Sequence, residues 1–180
     1  MKKQGTKIRR LTLDAMLVAL ALVFSLLERW IPLDLILPVP GIKLGLANIV
    51  SLVALVRLTF LDALAILLVR LAIMTAITGL TSLLFALSGG LLALLVMWAL
   101  GRGQGKYLSI MGVSMGGAAA HNIGQVAMAS LILGEPLFLT IYLPPLLLTG
   151  LLTGLLTGAA AGPVIRNLGQ LPEFYGGETP

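Results

Sequence analysis

Few residues in this 180-residue chain could do chemistry, and most of them stand in apolar surroundings. His121 is the only histidine, with Asn122 and Gln125 beside it in the segment 111–130, MGVSMGGAAAHNIGQVAMAS. That segment is apolar enough to lie in a membrane, where a polar cluster costs free energy unless it faces a partner, a cavity or a ligand. On a helix His121 and Gln125, four apart, share a face. Asn122 lies about 100° round from His121. Lys43, Asn48 and Arg70 are the other polar residues placed to join them. Arg70 is the most demanding, because an arginine keeps its charge and near a bilayer midplane costs at least about 2.5 kcal/mol. The acids Asp14, Glu28 and Asp62 fall near helix ends, and Asp34, Glu135, Glu173 and Glu178 fall in loops or the tail. Arg70 is therefore expected to turn to water, carbonyl oxygens or an anionic ligand. The expected substrate-binding set is Lys43, Asn48, Arg70, His121, Asn122 and Gln125. Each has a plainer reading as well: His121 and Asn48 as bonds between helices, Lys43 as a side chain snorkelling to the interface.

Enzyme signatures are thin, and the chain is expected not to be catalytic by itself. There is no aspartate-rich DDxxD motif, GxSxG, HExxH or P-loop, and a lone histidine without a nearby carboxylate makes no metal set. Gly112, Gly116 and Gly117 have no strand before them and suit close helix packing. With no cysteine, disulfides and thiolate chemistry are excluded. No catalytic residue, metal or cofactor is expected.

Composition dictates what must position the polar residues. The chain is 58% hydrophobic and 11% charged, with mean hydropathy +1.06. A soluble domain has about 25% charged residues, so this chain cannot clothe a water-facing surface. An all-α integral membrane protein is expected. Its transmembrane domain would run over 1–166 and a polar tail over 167–180. A membrane helix needs about 20 mostly apolar residues, and six segments qualify: 11–31, 42–58, 61–78, 81–100, 108–133 and 141–165. The basic start followed by an apolar run mimics a signal peptide, but Glu28-Arg29-Trp30 follows where small residues would be cleaved, so an uncleaved helix is expected.

The net charge of +5 is a topology signal and not a nucleic-acid one. With the N-terminus in the cytoplasm, nine basic residues lie inside (Lys2, Lys3, Lys7, Arg9, Arg10, Arg57, Arg102, Lys106, Arg166) and two outside (Arg29, Lys43). Both termini are thus expected to be cytoplasmic, in the plasma membrane of a bacterial cell. At 1.5 Å per residue, His121 lies roughly 20 Å and Arg70 roughly 14 Å from the cytoplasmic entry, and Asn48 roughly 9 Å from the outer one. The three converge on middle-to-outer depths. The outer connection 32–41, PLDLILPVPG, carries three prolines that disfavour helix, and is expected to fold back as a lid. Gly150, Gly154 and Gly158 recur every four residues, a face that admits close helix approach. Ala15 and Ala19 make a shorter version on the first helix.

The segments 39–55 (VPGIKLGLANIVSLVAL), 86–97 (ALSGGLLALLVM) and 116–125 (GGAAAHNIGQ) resemble the heptaprenyl diphosphate synthase component I family, also called the Gx transporter family. The layout is similar to the substrate-binding S components of energy-coupling-factor (ECF) transporters. That resemblance implies six helices, a pocket near the outer face under the first loop, and helix 1 alanines that dock a membrane coupling subunit. Ala15 and Ala19 match those alanines. The synthase name implies instead a role beside a catalytic prenyltransferase subunit, whose aspartate motifs this chain lacks.

Three functions follow as expectations. The leading one is an S-component-like protein that captures a small molecule in an outer-half pocket for transport. The alternative is a non-catalytic component I of a heptaprenyl or polyprenyl diphosphate synthase serving isoprenoid quinone biosynthesis. The third is a scaffold without ligand. The expected partners are a small-molecule ligand, the lipid bilayer, and either a coupling or a prenyltransferase subunit; no nucleic acid is expected.

Overall fold

The computed structural model describes residues 2–30, 45–102 and 108–168. These form seven helices: α1 (Lys2–Trp30), α2 (Leu46–Arg57), α3 (Phe60–Thr78), α4 (Leu80–Gly101), α5 (Ile110–Leu133), the short α6 (Leu137–Ile141) and α7 (Leu143–Leu168). Among the described residues, each of the six expected segments contains one of these helices, though in the second segment the helix covers only Leu46–Arg57. α7 runs two residues past the expected domain boundary, and the proposed lid at 32–41 lies outside the described residues, as does 169–180.

Contacts along the helices give their directions. Arg10 meets Asp62 at one end of α1 and α3, and Ser25 meets Arg70 further along, so these two run the same way. The start of α2 meets the end of α1 through Gly45 and Glu28. The ends of α2 and α7 meet through Arg57 and the Ile165 carbonyl. In α5 and α7, Met111 faces Gly158 and Asn122 faces Gly150, an antiparallel pair. The six long helices therefore alternate in direction. The start of α1 and the end of α7 share one end with Arg57 and Arg102.

The six-span expectation meets a difference. By length and composition four helices can cross a membrane: Arg10–Trp30, Phe60–Thr78, Leu80–Gly101 and Leu143–Asn167. α5 has 24 residues, long enough to cross, but His121, Asn122, Gln125 and its glycines dilute its apolar character. α2 has only 12 residues. It is also the hub, touching α1, α3, α4, α5 and α7. Val50 and Ala54 on one side join a core with Ala63, Ile66 and Leu67 of α3. Leu52 and Val53 on the other join Ala93 of α4, Val113 of α5 and Ala161 of α7. At 1.5 Å per residue its 12 residues cover about 18 Å, short of the roughly 30 Å of a bilayer core.

Local chemistry sets the tight turns. Thr59 caps α3: its hydroxyl accepts from Asp62 N, and its own N–H donates to Asp62 Oδ2 at 2.9 Å. Arg10 Nη2 donates to the same carboxylate at 2.5 Å, tying α1 to this cap. With Arg10 about half exposed, that ion pair contributes less than about 1 kcal/mol. At the same end the Arg102 guanidinium stacks on Trp98, 3.8 Å from the ring centroid. The glycine period on α7 serves packing inside the protein. A Cβ on Gly154 or Gly158 would stand 2.8 Å from Met115 Cα or Met111 Cα of α5. Between the two glycines, Ser114 and Thr157 share a buried 3.0 Å hydrogen bond.

Candidate functional site

A cavity of about 400 Å³ opens at the end of the bundle away from the arginine-rich turns, between α1, α2, α3, α4 and α5. Its polar wall includes Ser25, Glu28, Arg29, Asn48, Arg70 and His121, with the hydroxyls of Thr75, Thr78 and Ser82. Its apolar wall includes Leu71, Met74, Ile77, Leu83 and Ala86. The volume lies in the range of small-molecule sites, and so does the pairing of an apolar body with a few convergent polar groups.

Arg70 is the centre of the polar wall. It projects from α3 with only 9% of its surface exposed. Its Nη1 donates to Ser25 Oγ at 3.1 Å, and Ser25 Oγ donates to the Ala21 carbonyl at 2.9 Å, so the hydroxyl relays between guanidinium and helix. Glu28 stands one turn beyond Ser25 and lies close enough to act on the Arg70 charge. Its carboxylate also accepts the N–H of Gly45. The expectation that Arg70 has no acid at its depth is thus corrected. Glu28 is near the end of α1, but α1 runs parallel to α3 and brings it alongside.

Gly45 has φ +73°, a left-handed conformation that glycine adopts freely and other residues adopt at a cost. This turn aims its N–H at Glu28 and starts α2, whose first turn, with Ala47 and Asn48, faces the cavity. A Cβ at Gly45 would come 3.0 Å from Asn48 Nδ2, so the residue also sets the space for that amide.

The predicted set divides. Asn48, Arg70 and His121, far apart in sequence, line one cavity. Asn122 is buried, and its Nδ2 donates to the Leu146 carbonyl of α7 at 2.5 Å, a bond between helices; it also lines a small second cavity shared with Asn48 and His121. Gln125 packs against α4, where a Cβ on Gly89 would stand 2.7 Å from its Cγ. Lys43 lies outside the described residues. Ser25, Glu28 and Arg29 were missed. Their spacing of three and four at the end of an apolar helix was the available signal, read above only as the helix end. Ala15 and Ala19 are both exposed on α1, on a face with Leu11, Met16 and Leu20.

No curated protein and no solved structure matches the chain. The family model described as heptaprenyl diphosphate synthase component I matches residues 17–164, from within α1 to near the end of α7. The matched span contains every residue that lines the cavity, and the chain belongs to the heptaprenyl diphosphate synthase component I family.

Proposed function

We propose that this protein is a non-catalytic membrane subunit of a heptaprenyl diphosphate synthase system, one that holds a small ligand in the cavity around Arg70. Family membership carries the reading. The chain contributes membrane helices and a binding cavity, and a separate prenyltransferase subunit contributes the chemistry. The test is co-expression with the catalytic subunit of such a synthase. Heptaprenyl diphosphate formation should follow the membrane fraction when this chain is present and the soluble fraction when it is absent. Unchanged partitioning would sink the reading.

A second reading has its own observation. The cavity joins Asn48, Arg70 and His121 in a volume suited to a free small molecule, which suits an S-component-like substrate-capture protein of a transport system. Both readings need a partner, and the exposed α1 face at Ala15 and Ala19 is the proposed contact. Small residues there would let a partner helix come close. The double substitution Ala15→Leu and Ala19→Leu should lower partner recovery at least tenfold in pull-downs while leaving ligand binding intact. Loss of a prenyltransferase subunit supports the first reading and loss of a membrane coupling subunit the second. Unchanged recovery of both means that this face meets lipid.

Topology belongs to the same proposal: six spans, both termini cytoplasmic, and the cavity toward the outer face of a bacterial plasma membrane. The alternating helix directions and the nine-to-two basic asymmetry support it. Single cysteines at Gln104 and Glu135 test it in a chain that has none. An impermeant thiol reagent on intact cells should label position 135 and spare 104; the reverse pattern inverts the model.

A further inference from the structure

Among the described residues α7 lends none to the ligand cavity, yet it borders a second, smaller one. This space of about 10 Å³ lies between α2, α5 and α7. Gly45, Asn48 and His121 line both cavities and so make up a shared wall. Opposite them stand Ser114 and Asn122 of α5 with Thr153 and Thr157 of α7. One water molecule needs about 10–15 Å³ and two to four polar partners. An apolar space of that size stays dry, but this one is walled largely by hydroxyls and amides.

The protons in that wall are already directed. Each hydroxyl has one to give. Thr153 donates to the Gly150 carbonyl at 3.2 Å, and Thr157 to the Gly154 carbonyl at 3.1 Å. Ser114 is therefore the donor in its 3.0 Å bond with Thr157. All three oxygens meet a guest as acceptors, each with at least one lone pair left. Asn48 brings a donor: its Nδ2 lies 3.0 Å from where a Gly45 Cβ would stand, and Gly45 lines this same space. Hydroxyl acceptors facing an amide donor match a water, which gives two protons and accepts others. A bare cation fits less well. The wall holds no carboxylate, and Arg70 is buried in the adjoining cavity, so nothing in the wall offsets the cost of desolvating its charge.

We propose that the small cavity holds one ordered water, which gives its protons to the α5 and α7 hydroxyl oxygens and accepts from the Asn48 amide. Through that water α7 fixes the wall that the two cavities share. Thr153 is then a positioning residue: it lines no part of the ligand cavity and acts on Asn48 through the water. The positioning role rests on the proposed ligand-binding reading, but the water itself can be observed without any ligand.

The test is made on the full chain in nanodiscs. A structure at a resolution that shows ordered water should carry one water peak in this space, within hydrogen-bond reach of Thr153 Oγ1 and the Asn48 amide. A dry cavity overturns the inference and leaves the ligand cavity as it stands. The wild-type density decides this even if a variant folds poorly. His121 is the only histidine and lies in the shared wall, so histidine-selective labelling gives a single imidazole signal by magnetic resonance. Thr153→Val keeps the shape and removes the acceptor, so the water peak should vanish and the imidazole signal should move. Thr153→Ser keeps the hydroxyl, and both should stay as in wild type. Thr140→Val, whose hydroxyl bonds within its own helix at Leu137 and lines neither cavity, should change neither. A signal that stays put in Thr153→Val, or moves as far in Thr153→Ser, overturns the positioning role. Melting temperatures in sodium chloride and choline chloride should agree. Stabilisation by sodium that is lost in Thr153→Val makes the guest a cation and overturns the inference. Failure of the ligand-binding reading shows elsewhere, in titrations of Arg70→Met, and would leave the water in place.

Discussion

Arg70→Met is expected to weaken binding of an anionic small ligand in the cavity by about 2–5 kcal/mol, the range for removing one partner of a buried, hydrogen-bonded charge pair. Methionine keeps the approximate volume and the apolar stem but removes the charge and the bond to Ser25. A second effect follows from the geometry. Glu28, partly buried, loses the influence of one nearby cation. That raises the cost of folding as well, so the single variant should be both weaker-binding and less stable. Arg70→Met with Glu28→Gln separates the two effects. The double variant removes both charges, so its melting temperature should recover in part toward wild type while the ligand still fails to bind. Calorimetry and thermal unfolding in nanodiscs read the two quantities independently. Undiminished binding in the single variant makes Arg70 a structural residue. If stability does not recover in the double variant, Glu28 and Arg70 are not coupled.

The membrane character and helix positions were legible because hydropathy and basic asymmetry act along the chain, one segment at a time. Arg70 was legible for the same reason: a permanent charge in an apolar run is conspicuous wherever the run packs. Convergence of Asn48, Arg70 and His121 followed from depth alone, since alternating helices turn residue number into height. Which way each side chain faces was not legible. Glu28 looked like a boundary marker until the parallel course of α1 and α3 put it beside Arg70. Asn122 neighbours His121 in sequence, but one step along a helix turns a side chain by about 100°, and its amide bonds Leu146 of α7. The shortness of α2 was equally hidden: its flanks read as apolar, and the helix itself has 12 residues enclosed by five other helices.

Gly124→Ala is expected to destabilise the protein by about 1–3 kcal/mol, the usual cost of forcing an extra group into a filled interior. α4 and α5 touch backbone to backbone at this point. A Cβ on Gly124 would stand 2.7 Å from the Ser88 carbonyl oxygen and 2.8 Å from Gly89 Cα. Both are main-chain atoms, so no side chain can swing aside and the helices themselves must part. Parting them stretches the bond from Ser88 Oγ to the Gly124 carbonyl, now 3.0 Å. In a bilayer this matters more than in water, because lipid offers no hydrophobic drive to hold helices together and close packing carries the association. The strain also reaches the cavity: His121 lies three residues before Gly124, and its carbonyl is 2.7 Å from where a Gly89 Cβ would be. Moving α5 off α4 should therefore withdraw the imidazole from the cavity wall and weaken ligand binding along with stability. Gly101→Ala, at the end of α4 with nothing within 4 Å of its Cβ, is the matched control. It should be neutral or gain up to about 1 kcal/mol from helix propensity. Melting temperature in nanodiscs decides the point, and equal values for the two variants would mean that the α4–α5 contact is looser than backbone contact.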